Sequence, residues 1–132
     1  MKVLDTTVAV DYLRGRPEAV HLLGELTASG EMLVASELVR YEILAGTRSG
    51  EREGVEDFLA GLGWIDVTSD VARLAAELFQ IYRTSHASID DVHYLIAATA
   101  VIVDKPLLTT NVRHFPMFKD LRPAYRTRGS AT

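Results

Sequence analysis

The sequence predicts an α/β fold with a mainly parallel sheet covered by helices on both faces. Short apolar runs at Val3-Leu4, Met32-Leu33-Val34-Ala35, Trp64 to Val67 and Leu107-Leu108-Thr109 read as strands. Each is separated from the next by segments of helical periodicity, which is the pattern of strand–helix–strand crossovers. At 132 residues and 48% hydrophobic composition, the chain is most simply one domain with a real core. No repeat, linker or low-complexity tract interrupts it. The domain is expected to run over 1–127, with 128–132 as a flexible tail.

Lys2 to Asp5 reads as a buried first strand. Val8 to Leu13 forms a short helix that should stop near Gly15, and Pro17 suits the start of the next helix. Leu22, Leu23 and Leu26 give that helix its apolar stripe, and Gly30 ends it. Ser36 is a plausible N-cap for a helix over Glu37 to Ala45. Val55, Phe58, Leu59 and Leu62 mark a further amphipathic helix, closed by Gly63. Val71, Leu74, Ala75, Leu78, Phe79 and Tyr82 repeat at the spacing of a core-facing helix. The helix from about Asp90 to Val103 is apolar nearly all round and should be deeply buried. A last edge strand is expected around Pro123 to Tyr125.

Composition narrows the function classes. With no cysteine, disulfides, thiolate chemistry and cysteine zinc sites are excluded, and a cytoplasmic location is permitted. An acid at the fifth position interrupts any signal-peptide core, and no apolar run is long enough to span a bilayer. A net charge of −4 argues against a protein that coats nucleic acid by bulk attraction, although a local basic rim remains compatible with it.

The carboxylates carry the chemistry. Asp5 ends the first strand, a typical active-site position in open α/β sheets, yet such a residue can also form an Asx-turn or cap the following helix. Glu42 projects along a mostly apolar helix face, where burial of a carboxylate calls for a cation or strong donors. Arg40, Arg48 or a distant arginine could instead pair with it. Asp90 and Asp91 open the most apolar helix and can be read as caps or dipole partners. Asp11, with Arg14 three residues on, reads as an ordinary surface pair. If Asp5, Glu42 and an acid at 90–91 converge, they make a hard-oxygen site suited to Mg²⁺ or Mn²⁺.

Together these pieces resemble the PIN-domain ribonucleases, specifically VapC-type toxins of toxin–antitoxin pairs. Val3-Leu4-Asp5-Thr6-Thr7-Val8 with Asp11-Tyr12-Leu13-Arg14-Gly15 is similar to that family's opening motif. Glu42-Ile43-Leu44-Ala45-Gly46 with Arg48 is similar to its glutamate motif. Leu95 to Ala100, then Leu107-Leu108-Thr109-Thr110-Asn111 with His114-Phe115, resemble its third and fourth motifs. The resemblance implies an α/β/α sandwich, divalent-metal-dependent endoribonuclease activity and inhibition by a small VapB-type antitoxin. It also implies that Asp5 and Glu42 are metal-site acids, that Asn111 fills the fourth polar position, and that Thr6 or Thr7 holds the site's hydrogen bonds.

The sequence departs from the family at one place. Many relatives carry an Asp three residues before the isoleucine of the Ile-Ala-Ala segment, and here that position is His93. Asp90, one helical turn earlier, is the candidate replacement, with His93 as a possible nitrogen ligand or a packed histidine. His21, His86 and His114 read as surface or structural residues.

In the expected mechanism, a metal-activated water attacks an RNA phosphodiester and leaves a 5′-phosphate, and the resemblance makes a transfer RNA a candidate substrate. Arg14, Arg48 and Arg113 are the candidate RNA contacts, alongside Arg16, Arg40 and the basic tail. Tyr12 and Phe115 could stack on bases, with core packing favoured for Phe115. A homodimer is common in the family. The displaced third acid raises an alternative, a catalytically impaired relative that binds antitoxin or RNA without cutting. An aspartyl phosphatase is disfavoured because Thr7 stands where a second acid is needed, and no glycine-rich phosphate loop is present.

Overall fold

The computed structural model describes residues 1–126. The strands are β1 (Lys2–Leu4), β2 (Leu33–Ser36), β3 (Gly63–Ile65) and β4 (Leu107–Leu108). They form one sheet in the order β3-β2-β1-β4 with every pairing parallel. The helices are α1 (Thr6–Leu13), α2 (Pro17–Ala28), α3 (Glu37–Ala45), α4 (Arg52–Ala60), α5 (Ser69–Tyr82) and α6 (Asp91–Val103). With the right hand that crossovers between parallel strands adopt, this strand order puts α1 to α4 on one face of the sheet and α5 and α6 on the other. The α/β/α class read from the sequence is therefore the class observed.

The strand order determines where a site can form. The chain leaves β1 towards β2 and β3, then returns to place β4 on the opposite side of β1. The crevice beyond the carboxyl ends of β1 and β4 is thus the topological switch point of the sheet. Register pairs Leu4 with Leu108, so Asp5 and Thr109 emerge side by side at that end. The Asp5 N–H donates to the Leu108 carbonyl at 2.9 Å and holds the two strand ends together.

Two apolar clusters support this arrangement. The larger joins Val3, Leu4, Val34 and Ala35 of the sheet to Val8, Val39, Ile43 and Leu59 on one side and Ile96 and Ala97 on the other. The smaller packs Val71 and Ala75 of α5 against Tyr94 and Ala98 of α6. The apolar character of α6 is explained by these two neighbours, since the helix lies between the sheet and α5. Gly63 is required where β3 meets β2, because a Cβ there would lie 2.9 Å from Val34 Cγ1.

Several boundaries differ from the expectations. Helix α1 begins two residues early, at Thr6, directly after the strand. Strand β2 runs over Leu33–Ser36 rather than Met32 to Ala35, leaving Met32 exposed at 58%. Strand β3 starts at Gly63 and stops at Ile65, because α4 has already ended at Ala60. The expected edge strand near Pro123 is not formed. Only the Ala124 N–H pairs with the Thr109 carbonyl, at 2.8 Å. The tail expected over 128–132 lies outside the described residues. Among the described residues, no helix is long and apolar enough to cross a membrane.

Candidate active site

Asp5 occupies the N-cap position of α1, yet its side chain makes no capping hydrogen bond. The carboxylate turns instead towards β4. Its Oδ2 accepts from Thr109 Oγ1 at 2.7 Å and from Thr7 Oγ1 at 3.1 Å. Thr7 Oγ1 in turn accepts from the Thr110 N–H, and Thr109 Oγ1 from the Asn111 N–H. Every hydroxyl proton in this relay therefore points at Asp5. The residue is only 1% exposed, and both Asp5 and Thr109 belong to the few buried polar side chains of the protein. A buried carboxylate with one oxygen saturated by hydroxyls, and not employed as a cap, is arranged for a ligand.

Glu42 comes to the same place from α3. Its Oε1 accepts from Thr6 Oγ1 at 2.5 Å, so Thr6 and Thr7, adjacent at the start of α1, each hold one of the two acids. Neither arginine suggested as a partner for Glu42 takes that role. Arg40 forms a two-pronged pair with Glu37 and lies 4.0 Å over the Trp64 ring. The Arg48 side chain is exposed and makes no ion pair among the described residues; only its backbone N–H is used, donating to Glu51.

Asp5, Thr6, Thr7, Glu42, His93, Thr110 and Asn111 line one cleft of about 510 Å³, with Asp11, Arg14 and Arg16 along its side. Asp5, Glu42, Asn111, Thr6, Thr7 and Arg14 are thus brought together as the sequence suggested. Arg48 and Arg113 are exposed and do not line the cleft. Tyr12 stacks on Phe58 at 4.9 Å between centroids and Phe115 is fully buried, so both belong to the packing.

Asp90, proposed from the sequence as the third acid, lies outside the cleft. It is the N-cap of α6, and its side chain is 69% exposed. Its Oδ1 accepts from the His93 N–H at 3.3 Å and from His93 Nδ1 at 2.6 Å. Burial raises the Asp90 carboxyl, but the bonds from His93 outweigh that and leave it below the usual carboxylate range. The one-turn spacing that placed Asp90 beside His93 makes it the anchor of that histidine.

His93 does reach the cleft, with both nitrogens engaged. Nδ1 donates to Asp90, and Nε2 lies 3.2 Å from Nδ1 of His114. Asn111 Nδ2 is 2.7 Å from that same His114 nitrogen. The tautomers decide which ring donates, and in either arrangement His93 Nε2 is engaged with His114. Burial, then the neighbouring His93 and Arg113, lower the His114 pKa and favour its neutral form. His114 was read as a surface or structural residue, and the structure makes it part of the chain Asp90–His93–His114–Asn111.

Two further groups take roles that the sequence reading did not give them. Thr109 was visible only as a motif member, although Thr-Thr-Asn after an apolar pair was a signal for hydroxyls at a strand end. Asp11 pairs with Arg16 at 3.2 Å rather than with Arg14, and it also accepts from Tyr125 Oη at 2.7 Å.

The donor set admits a hard divalent cation of a particular kind. Among the described residues, no three His, Asp or Glu side chains are close enough together to form a metal cage. Two carboxylates facing an open cleft nevertheless fit Mg²⁺, which is held through one or two carboxylates and keeps several of its waters.

A parallel sheet with paired acids at its switch point defines the class, and comparison with known proteins agrees. The PIN domain model matches residues 2–120, and the chain belongs to the PIN domain family. Within that family its relatives are of the VapC type. It is 58% identical over 125 residues to Ribonuclease VapC19 of Mycobacterium tuberculosis, spanning 95% of this chain and 100% of the relative. It is 36% identical over 129 residues to Ribonuclease VapC10 of the same organism, spanning 98% and 96%. Among solved structures, a toxin–antitoxin complex from Klebsiella pneumoniae superimposes with a TM-score of 0.79 at 21% identity, covering 96% of this chain and 100% of that one. DNA-bound VapBC from Salmonella typhimurium superimposes with a TM-score of 0.76 at 19% identity, covering 92% and 95%.

Proposed function

We propose that this protein is a divalent-metal-dependent endoribonuclease, the toxin of a toxin–antitoxin pair, acting in the cytoplasm as a single domain. The observation that carries the reading is Asp5, a buried strand-end carboxylate that declines the cap role and faces a cleft shared with Glu42. The 58% identity to a named VapC ribonuclease over nearly the whole chain supports the same reading. Structural likeness to VapBC complexes supports a VapB-type antitoxin as protein partner. A second copy of the chain is the further partner expected from the family.

Asp5 and Glu42 are the residues that would hold Mg²⁺ or Mn²⁺. Thr7 and Thr109 restrict the Asp5 carboxylate to one orientation, and Thr6 does the same for Glu42. Such secondary bonds preserve a ligand's direction and basicity. When bound, the ion supplies Lewis acidity towards a phosphodiester and its attacking water. Asn111 completes the polar floor, and Arg14 and Arg16 offer positive charge to the RNA backbone at the cleft side. Asp90 is not included in this set, and His93 serves it as a positioned polar wall.

The second reading, an RNA or antitoxin binder without cleavage, is favoured by one observation: His93 stands where many relatives carry an acid, with both of its nitrogens engaged. Incubating the protein with RNA and Mg²⁺ or Mn²⁺, beside Asp5→Asn and in EDTA, separates the two. Cleavage that needs the metal and fails in Asp5→Asn supports the enzyme. Binding without cleavage under every metal condition supports the second reading.

A further inference from the structure

The cleft carries a three-residue arrangement that the metal site does not use. Arg16 lines the cleft from the N-cap position of α2, next to Pro17 at the start of that helix. Its Nε meets Asp11 Oδ1 at 3.2 Å. The other carboxylate oxygen of Asp11 accepts from Tyr125 Oη at 2.7 Å. Asp11 is 15% exposed, so this small bridge is largely shielded from water, whereas Arg16 is 42% exposed. The chain segment bearing Tyr125 is itself tied to the sheet, because the Ala124 N–H donates to the carbonyl of Thr109. Thr109 is the residue that holds Asp5. The segment after η1 (Val112–His114) therefore touches Thr109 through Ala124 and, at the next residue, the acid that pairs with Arg16.

We infer that Arg16 is the cleft's phosphate-contact residue and that the C-terminal segment aims it, through Tyr125 and Asp11, at the RNA backbone. This rests on the ribonuclease reading. A free arginine loses most of its rotamer freedom on binding, whereas Arg16 loses part of it on folding. The contact to Asp11 uses Nε and leaves the two Nη groups of the fork for phosphate oxygens. Burial, and then the bond to Asp11, raise the Tyr125 pKa, so the phenol remains a donor across the working pH range. Tyr125 acts through Arg16 and is a positioning residue.

The test is binding of a fluorescein-labelled single-stranded RNA of mixed sequence, followed by anisotropy in EDTA over a range of KCl concentrations. Wild type, Arg16→Gln, Arg16→Lys, Tyr125→Phe and the Arg16→Gln/Tyr125→Phe double variant are compared, with melting temperatures as folding controls. Arg16→Gln should bind more weakly, and its plot of log K against log[KCl] should be shallower by about 0.7, the loss of one single-strand phosphate contact. Arg16→Lys should restore the slope but only part of the affinity. Tyr125→Phe should lose part of the affinity that Arg16→Gln loses, and the double variant should bind no more weakly than Arg16→Gln alone. Wild-type affinity and slope in Arg16→Gln would overturn the phosphate contact while leaving the ribonuclease reading intact. A double variant weaker than Arg16→Gln by the full Tyr125→Phe effect would show that Tyr125 does not act through Arg16. Wild type that binds no RNA would defeat both this inference and the reading beneath it.

Discussion

Thr109→Val isolates the relay that holds Asp5. Valine keeps the shape of threonine, so no cavity is expected at this fully buried position. Two bonds are lost: the 2.7 Å bond donated to Asp5 and the 3.0 Å bond accepted from the Asn111 N–H. A hydrogen bond to a charged group contributes about 1.5–3 kcal/mol, and leaving the backbone N–H without its acceptor adds about 1 kcal/mol. Thr7 still donates to the same carboxylate oxygen, at 3.1 Å, and offsets part of the loss. The net cost is therefore about 2 kcal/mol. For a domain of this size that lowers the melting temperature by roughly 8 °C. Differential scanning calorimetry measures it directly. The Asp5→Asn/Thr109→Val double variant should be destabilised by less than the sum of the singles, by about 1 kcal/mol or more, because the interaction removed is shared. Strict additivity, or a Thr109→Val shift below about 2 °C, would refute the claim that Thr109 holds Asp5.

Other perturbations read the neighbouring parts of the structure. Tyr94 has a buried hydroxyl with no partner among the described residues, so Tyr94→Phe should raise the melting temperature while keeping the edge-to-face contact with Phe79; a clear decrease would mean that the hydroxyl is satisfied. His114 has a pKa below that of an unfolded histidine, so between that folded value and about pH 6.5 the unfolded chain binds a proton that the folded chain does not. Stability should fall as pH is lowered from about 6.5, and His114→Asn should flatten that part of the pH profile, an unchanged slope counting against the assignment. Removing the cap with Asp90→Ala should cost about 1 kcal/mol, seen as a lower urea midpoint with the same slope; an unchanged midpoint would deny Asp90 the cap role.

What the sequence disclosed depends on the range of the interaction. Alternating apolar runs and helical stripes are local, so the element order and the parallel sheet were readable. Asp5 and Glu42 stood out because a strand-end acid and an acid on an apolar helix face both lack a comfortable local explanation. The cap role of Asp90 was not separable from a metal-facing role for the opposite reason. A capping side chain bonds the backbone three residues on, and a metal-facing acid one turn before a histidine has the same spacing. Only the backbone at Asp90, extended rather than helical, separates the two. Thr109 and Tyr125 were hidden by distance: each meets its acid more than a hundred residues away, through the β1–β4 register and the final segment. His114 lay three residues past a motif asparagine, and its partner His93 belongs to a different helix.

The central claim is that Asp5 and Glu42 hold the metal ion and that Asp90 does not. Isothermal titration of the protein with Mn²⁺ tests this without recourse to any RNA. Wild type and Asp90→Ala should bind with similar affinity, whereas Asp5→Asn and Glu42→Gln should each bind much more weakly while remaining folded. Loss of binding in Asp90→Ala, or its persistence in Asp5→Asn, would contradict the account.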